Sequence, residues 1–228
     1  MPEPQIKRNI LKIGILGDSL VGKTSIRYAF LKNEFDDEVL ATIGVEKEEY
    51  IINLKKNEEI KIIILDVSGL QRFHKIAIDS ILNTQGIILC FDVTNRKSFQ
   101  NINNWLEMIK ENINNVIIII FGNKCDVDSE KREVTKEEAE EFAKSNNLVY
   151  FETSAKNSIN IKEGFGNILN EAYYLKYKIN LKEQYKSLDL KNFKKDEDKI
   201  YINDIKENIK LSKFELLNKY INIFKIIE

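Results

Sequence analysis

Five nearly unbroken apolar runs punctuate the first two thirds of the chain: ILKIGIL (10–16), IKIIILDV (60–67), GIILCFDV (86–93), VIIIIFG (116–122) and LVYFET (148–153). Continuous hydrophobicity over a strand's length predicts burial on both faces, as in a parallel sheet. Between the runs the spacing changes to that of helices, over 22–32, 96–113, 135–145 and 159–178. In 96–113, Phe99, Ile102, Trp105 or Leu106, and Ile109 recur on one helical face. Thr135 followed by Glu138 reads as a capping box. This alternation predicts an α/β fold with a doubly wound sheet. The runs VEKEEYIINL and EEIKIIIL flank only Lys55–Lys56–Asn57, too little for a crossover helix, and predict an antiparallel hairpin at one sheet edge.

The pattern ends near residue 178. It divides the chain into an α/β unit over 8–178 and a remainder over 179–228, a charged linker followed by helical spacing at Leu211, Phe214, Leu217, Ile221 and Phe224. Composition adds exclusions. A formal net charge of −1 gives no global attraction to nucleic acid. The longest apolar runs are too short to span a bilayer. Cys90 and Cys125 form no disulfide framework and suit a reducing compartment. The opening MPEPQIKRNI lacks a signal-peptide core, Pro2 excludes myristoylation, and the C-terminus carries no cysteine for prenylation. The heavy use of Ile, Asn and Lys is ascribed to codon bias, so Asn clusters are not read as sites.

Two motifs carry chemistry. GDSLVGKT (17–24) matches G-x-x-x-x-G-K-[ST] between a predicted strand and a predicted helix. Its backbone N–H groups, from Ser19, Leu20, Val21 and Gly22 through Lys23, Thr24 and Ser25, would cradle a polyphosphate at a helix N-terminus. Lys23 would reach the β- and γ-phosphates and the Thr24 hydroxyl would bind Mg²⁺. At the end of a later strand stands FGNKCD (121–126). Asp126 can accept from both the N1–H and the 2-amino group of guanine, a donor pair adenine lacks, beside Asn123 and Lys124. ETSAK (152–156) ends the next strand, and Ser154, Ala155 and Lys156 would wrap the base's other edge, with the Ala155 N–H toward the guanine carbonyl.

With GDSLVGKTS, ATIGVE, DVSGLQRF, GIILCFDVTNRKSFQNINNWL, GNKCD and ETSAKNSINIKEGF in this order, residues 8–178 resemble the Ras superfamily of small GTPases, and within it the Rab family. The resemblance implies a P-loop G domain: a six-stranded, mostly parallel sheet with one antiparallel edge strand and helices on both faces. It implies GTP or GDP with Mg²⁺, Phe35 against the guanine ring, Thr42 contacting Mg²⁺ and the γ-phosphate, Asp66 holding Mg²⁺ through water, and the Gly69 N–H meeting the γ-phosphate. Lys23, Thr42 and Gly69 would then be the catalytic contacts.

The chain departs from the family at Leu70, where members carry the Gln that orients the attacking water. Leu has no donor or acceptor, so slow hydrolysis and a long-lived GTP state are expected, unless Gln71 swings in. Positions matching the family's surface aromatics are read as Lys47, Leu65 and Ile81. His74 is read as a solvated loop residue, Cys90 and Trp105 as core, and Cys125 as pointing away from the base. The implied protein is a cytoplasmic monomeric switch. It would regulate vesicle traffic through effectors, exchange factors and activating proteins, with peripheral membrane attachment through a partner or the terminal helix. Two rivals stand beside it: a non-hydrolysing GTP-bound scaffold, and a P-loop ATP-dependent enzyme, against which NKCD argues.

Overall fold

A computed structural model describes residues 7–32, 35–36, 41–55, 58–178 and 200–201. The strands are β1 (Lys7–Leu16), β2 (Val45–Lys55), β3 (Glu58–Val67), β4 (Gly86–Asp92), β5 (Ile117–Asn123), β6 (Val149–Glu152) and β7 (Ile200–Tyr201). The helices are α1 (Lys23–Leu31), α2 (His74–Ile81), α3 (Arg96–Gln100), α4 (Ile102–Asn112), α5 (Lys136–Ser145) and α6 (Ile161–Tyr177). The strand order is β6-β5-β4-β1-β3-β2-β7, with β1 flanked in parallel by β3 and β4. The predicted hairpin is present: β2 and β3 pair antiparallel from Val45↔Val67 to Lys55↔Glu58.

The expected six-stranded, mostly parallel sheet is thus observed. Ile200–Tyr201 adds a short parallel pairing to Ile52 and Asn53 at the β2 edge, within the segment read as a charged linker. The helical spacing at Leu211–Phe224 lies outside the described residues.

Strand side chains alternate between two cores. Leu11, Ile13, Ile15, Ile64, Ile88, Cys90 and Phe121 face α1 and α6, while Leu16, Ile63, Leu89, Phe91 and Ile120 face α2 to α5. On the first side Phe30 of α1 stacks on Phe165 of α6, with ring centroids 3.8 Å apart. The Tyr177 hydroxyl donates to the Ile10 carbonyl at 3.0 Å and accepts from the Ile10 N–H at 2.9 Å, fastening the end of α6 to β1. On the second side Trp105 is fully buried.

Several details differ from the expectation. The helical stretch 96–113 is two helices that meet at Asn101 (φ −70°, ψ −11°), whose side chain donates to Asp18. α2 was not expected as a helix; Ala77, Ile78 and Ile81 form a short buried face behind a polar first turn. Thr135 caps α5 as expected, accepting from the Glu138 N–H at 3.2 Å. Leu65 and Ile81 are not surface residues: both are buried in the second core, and only Lys47 of that trio is exposed. There it pairs with Glu49, which also takes Lys61 at 2.5 Å, so this face is charged rather than aromatic. Among the described residues no helix is long and apolar enough to cross a membrane.

Candidate functional site

The loops following β1, β3, β5 and β6 converge at the carboxyl edge of the sheet, beside the central strand where chain order reverses direction. Open α/β sheets form their ligand crevices at such points. The loop from β1 to α1 is held in shape by its glycines. Gly17 has φ +137°, and a Cβ there would lie 2.1 Å from the Cys90 carbonyl oxygen. Gly22, at φ +93°, leaves room for the Asn123 amide, which a Cβ would meet at 2.4 Å. α1 begins immediately after it and directs its first N–H groups into the loop.

Within that loop the Lys23 ammonium donates to the carbonyls of Gly17 and Asp18 at 2.9 and 2.6 Å. Burial lowers its pKa, while Asp66, Cys90 and Asp18 pull the other way. The Thr24 hydroxyl donates to Asp66 Oδ2 at 2.5 Å and lies 3.0 Å from the Thr42 hydroxyl. Asp66 is fully buried, and its Oδ1 has no hydrogen-bond partner. Burial raises the Asp66 pKa, opposed by the Thr24 bond and by Lys23 and Arg27. Two hydroxyls and one carboxylate with an unsatisfied oxygen form a hard, oxygen-only donor set. It suits Mg²⁺, which keeps several of its own waters. Among the described residues no cluster of three or more His, Cys, Asp or Glu offers a metal cage.

The opposite wall comes from the ends of β5 and β6. Asn123 is buried, donating from Nδ2 to the Val21 carbonyl at 2.9 Å and accepting from the Ala155 N–H at 3.1 Å. The Ala155 N–H, expected to meet guanine, is therefore engaged by Asn123. Ser154 donates to Asp126 Oδ1 at 2.5 Å, fixing the carboxylate's orientation from behind. Lys124 spans the gap to the first loop, donating to the Leu20 carbonyl at 3.0 Å while Asp92 Oδ2 holds it at 2.6 Å.

These walls enclose one cleft of about 280 Å³. Of the residues expected at a ligand, Ser19, Leu20, Gly22, Lys23, Thr24, Ser25, Phe35, Thr42, Gly69, Asn123, Lys124, Asp126, Ala155 and Lys156 line it. Val21, Asp66 and Ser154 stand behind the wall, buried, and act through their bonds to Asn123, Thr24 and Asp126. Asp36, Ala41 and Val127 also line the cleft and were not anticipated. Cys125 lies outside the lining, as expected, and Cys90 is core.

Gly69 is pressed against the phosphate loop: a Cβ there would lie 2.3–2.4 Å from backbone atoms of Gly17, Asp18 and Ser19. Leu70 follows in extended conformation and opens a 3₁₀ turn over Gln71–Phe73. Neither Leu70 nor Gln71 lines the cleft, and Gln71 is exposed.

A polar contact behind the loop escaped the sequence reading. Trp105 Nε1–H donates to Asp18 Oδ1 at 2.9 Å, and Asn101 Nδ2 donates to Asp18 Oδ2 at 2.6 Å. His74 is not simply solvated: its ring lies 4.4 Å from the Trp105 ring, centroid to centroid. Trp105 was read as packing from its helical spacing, and nothing local announced an indole N–H aimed at a loop 87 residues away. Trp105→Phe keeps an aromatic ring in the core, though a smaller one, and removes this bond to a charged partner. It should lower the unfolding free energy by about 1.5–3 kcal/mol. Urea denaturation measures this, and an unshifted midpoint would deny the bond its role.

Comparison with known proteins agrees with this geometry. The Ras family model matches residues 12–174. Ras-related protein Rab-13 of Bos taurus is 37% identical over 164 residues, covering 72% of this chain and 80% of the relative. Ras-related protein Rab-10 of Diplobatis ommata is 39% identical over 157 residues, 68% of this chain and 78% of the relative. Rab-8 of the same species is also 39% identical over 157 residues, 68% of this chain and 74% of the relative.

Proposed function

The chain belongs to the Ras family and is Rab-like within it, and we propose that it is a GTP/GDP switch in which residues 8–178 form the G domain. Members of this family are GTPases. The observation that carries the reading is the single cleft joining a phosphate loop to a base wall ending in Asp126. Lys23 and the backbone N–H groups of residues 19–25 hold the phosphates, Asp126 reads guanine, and Phe35 covers the ring. Thr24, Thr42 and Asp66 would hold Mg²⁺, which would supply positive charge to offset that of the phosphates. Thr42 and Gly69 draw inward on a γ-phosphate and relax without it, so the adjoining loops report the nucleotide state to partner proteins. Those partners are effectors, exchange factors and activating proteins, and the process served is vesicle traffic. The switch acts as a monomer in the cytoplasm, attached to endomembranes through a partner or through residues 179–228.

Hydrolysis is slow in this reading. Gly69 is anchored on the phosphate loop, so register passes the water-orienting position to Leu70, and Gln71 lies one residue further on an exposed turn. The same feature supports a second reading, a non-hydrolysing scaffold with GTP as a structural core. Chromatography of nucleotide released from purified protein, with a single-turnover GTP assay, separates them. A switch carries GDP or converts GTP within hours; a scaffold retains GTP throughout. Protein that binds neither guanine nucleotide with magnesium overturns both.

A further inference from the structure

Arg27 occupies a position on α1 that packing alone would give to an apolar residue, between Ile26 and the core pair Ala29 and Phe30. It is 4% exposed. A buried guanidinium is strongly unfavourable unless paired on each side. Nη1 meets Glu48 Oε2 at 2.5 Å and Nη2 meets Glu46, two residues that share one face of β2. The third direction concerns the site: Arg27 Nε lies 3.4 Å from Asp66 Oδ2, the oxygen that also accepts from Thr24. Thr24 and Arg27 are three apart on α1, so the helix brings a hydroxyl and a cation to one carboxylate. Both Arg27 Nε and Asp66 Oδ1 are buried without a hydrogen-bond partner.

We propose that Arg27 is a resident cation of the magnesium site, a positioning residue that supplies part of the positive charge Asp66 requires and so weakens the coupling between magnesium and bound nucleotide. This rests on the GTP/GDP reading above. A divalent ion entering beside Asp66 meets the guanidinium first, at Nε, while the counter-charges Glu46 and Glu48 sit on its Nη atoms and reach solvent. Magnesium therefore binds less tightly than at a site without this arginine. Because that repulsion acts on the ion held at the nucleotide-bound site, magnesium and nucleotide strengthen each other less, and by reciprocity removing magnesium loosens the nucleotide less.

The test is the release rate of fluorescently labelled GDP, with magnesium and with EDTA, in full-length wild type, Arg27→Leu and Glu46→Gln/Glu48→Gln. EDTA should accelerate release at least about tenfold more in Arg27→Leu than in wild type, within the usual range of site-to-site coupling. In Glu46→Gln/Glu48→Gln the guanidinium loses its counter-charges but remains beside Asp66, so the acceleration should fall below that of wild type. A mere tether between α1 and β2 predicts the opposite, since both variants break it and would move together. Equal acceleration in Arg27→Leu and wild type, or a shift of both variants in the same direction, overturns the proposal. Should Arg27→Leu not fold, the glutamine pair against wild type still decides: an unchanged or larger acceleration overturns it. Wild type that binds no GDP in magnesium overturns the parent reading as well, whereas binding with matched EDTA responses overturns this inference alone.

Discussion

Asp126→Asn should weaken GTP binding by about two to three orders of magnitude and improve binding of xanthosine triphosphate. In the proposed complex the carboxylate would accept from two guanine donors, and Ser154 orients it by donating to Oδ1 at 2.5 Å. An asparagine offers one acceptor and one N–H₂, and that donor would confront the 2-amino group. One charge-assisted bond is lost and a second donor is left unpaired, together costing about 3–4 kcal/mol. Xanthine carries a carbonyl oxygen at that carbon and restores the match. Competition against fluorescent GDP measures the three affinities. Unchanged GTP affinity in the variant would show that the base is read elsewhere, and an equal response to ATP in wild type would remove guanine selectivity altogether.

Leu70→Gln should raise the single-turnover GTP hydrolysis rate by about tenfold to a hundredfold, the gain expected from restoring a side chain that orients the attacking water. Phosphoryl transfer depends mainly on positioning and charge stabilisation, and a leucine cannot orient water. Affinity should hardly change, because Leu70 does not line the cleft in the wild type. Gln71→Ala provides the control. If Gln71 performed the task from the turn at Gln71–Phe73, its removal would abolish the wild-type rate while Leu70→Gln added nothing. A rate indifferent to both changes would exclude switch-loop water positioning as the limiting factor.

Much of the architecture could be read from hydrophobic spacing because a parallel sheet buried on both faces writes itself as unbroken apolar runs, as in β4 and β5. The phosphate and base loops were equally plain, since their chemistry demands particular residues within a few positions of each other. What escaped was tertiary in origin. α2 has eight residues, and its apolar face became meaningful only once it packed on β1 and β3. The bonds of Asn101 and Trp105 to Asp18 join segments far apart in sequence. Leu65 and Ile81 were assigned to the surface by analogy with relatives, but here they complete the core, leaving Lys47, Glu49 and Lys61 as a charged ladder outside. Nothing in the sequence singled out Arg27. Its significance emerged only when Glu46, Glu48 and Asp66 were found around it.

The Asn123 carboxamide has a mechanical consequence. Its nitrogen grips the phosphate loop at Val21 and its oxygen grips the base loop at Ala155, so one planar group serves as the hinge pin between two walls made by distant segments. Neither wall can drift alone without tearing one half of that pin. A displacement of one wall is thus passed to the other through a rigid plane, and an aspartate, equal in shape but lacking the amide hydrogens, would leave the pin seated in only one of its two sockets.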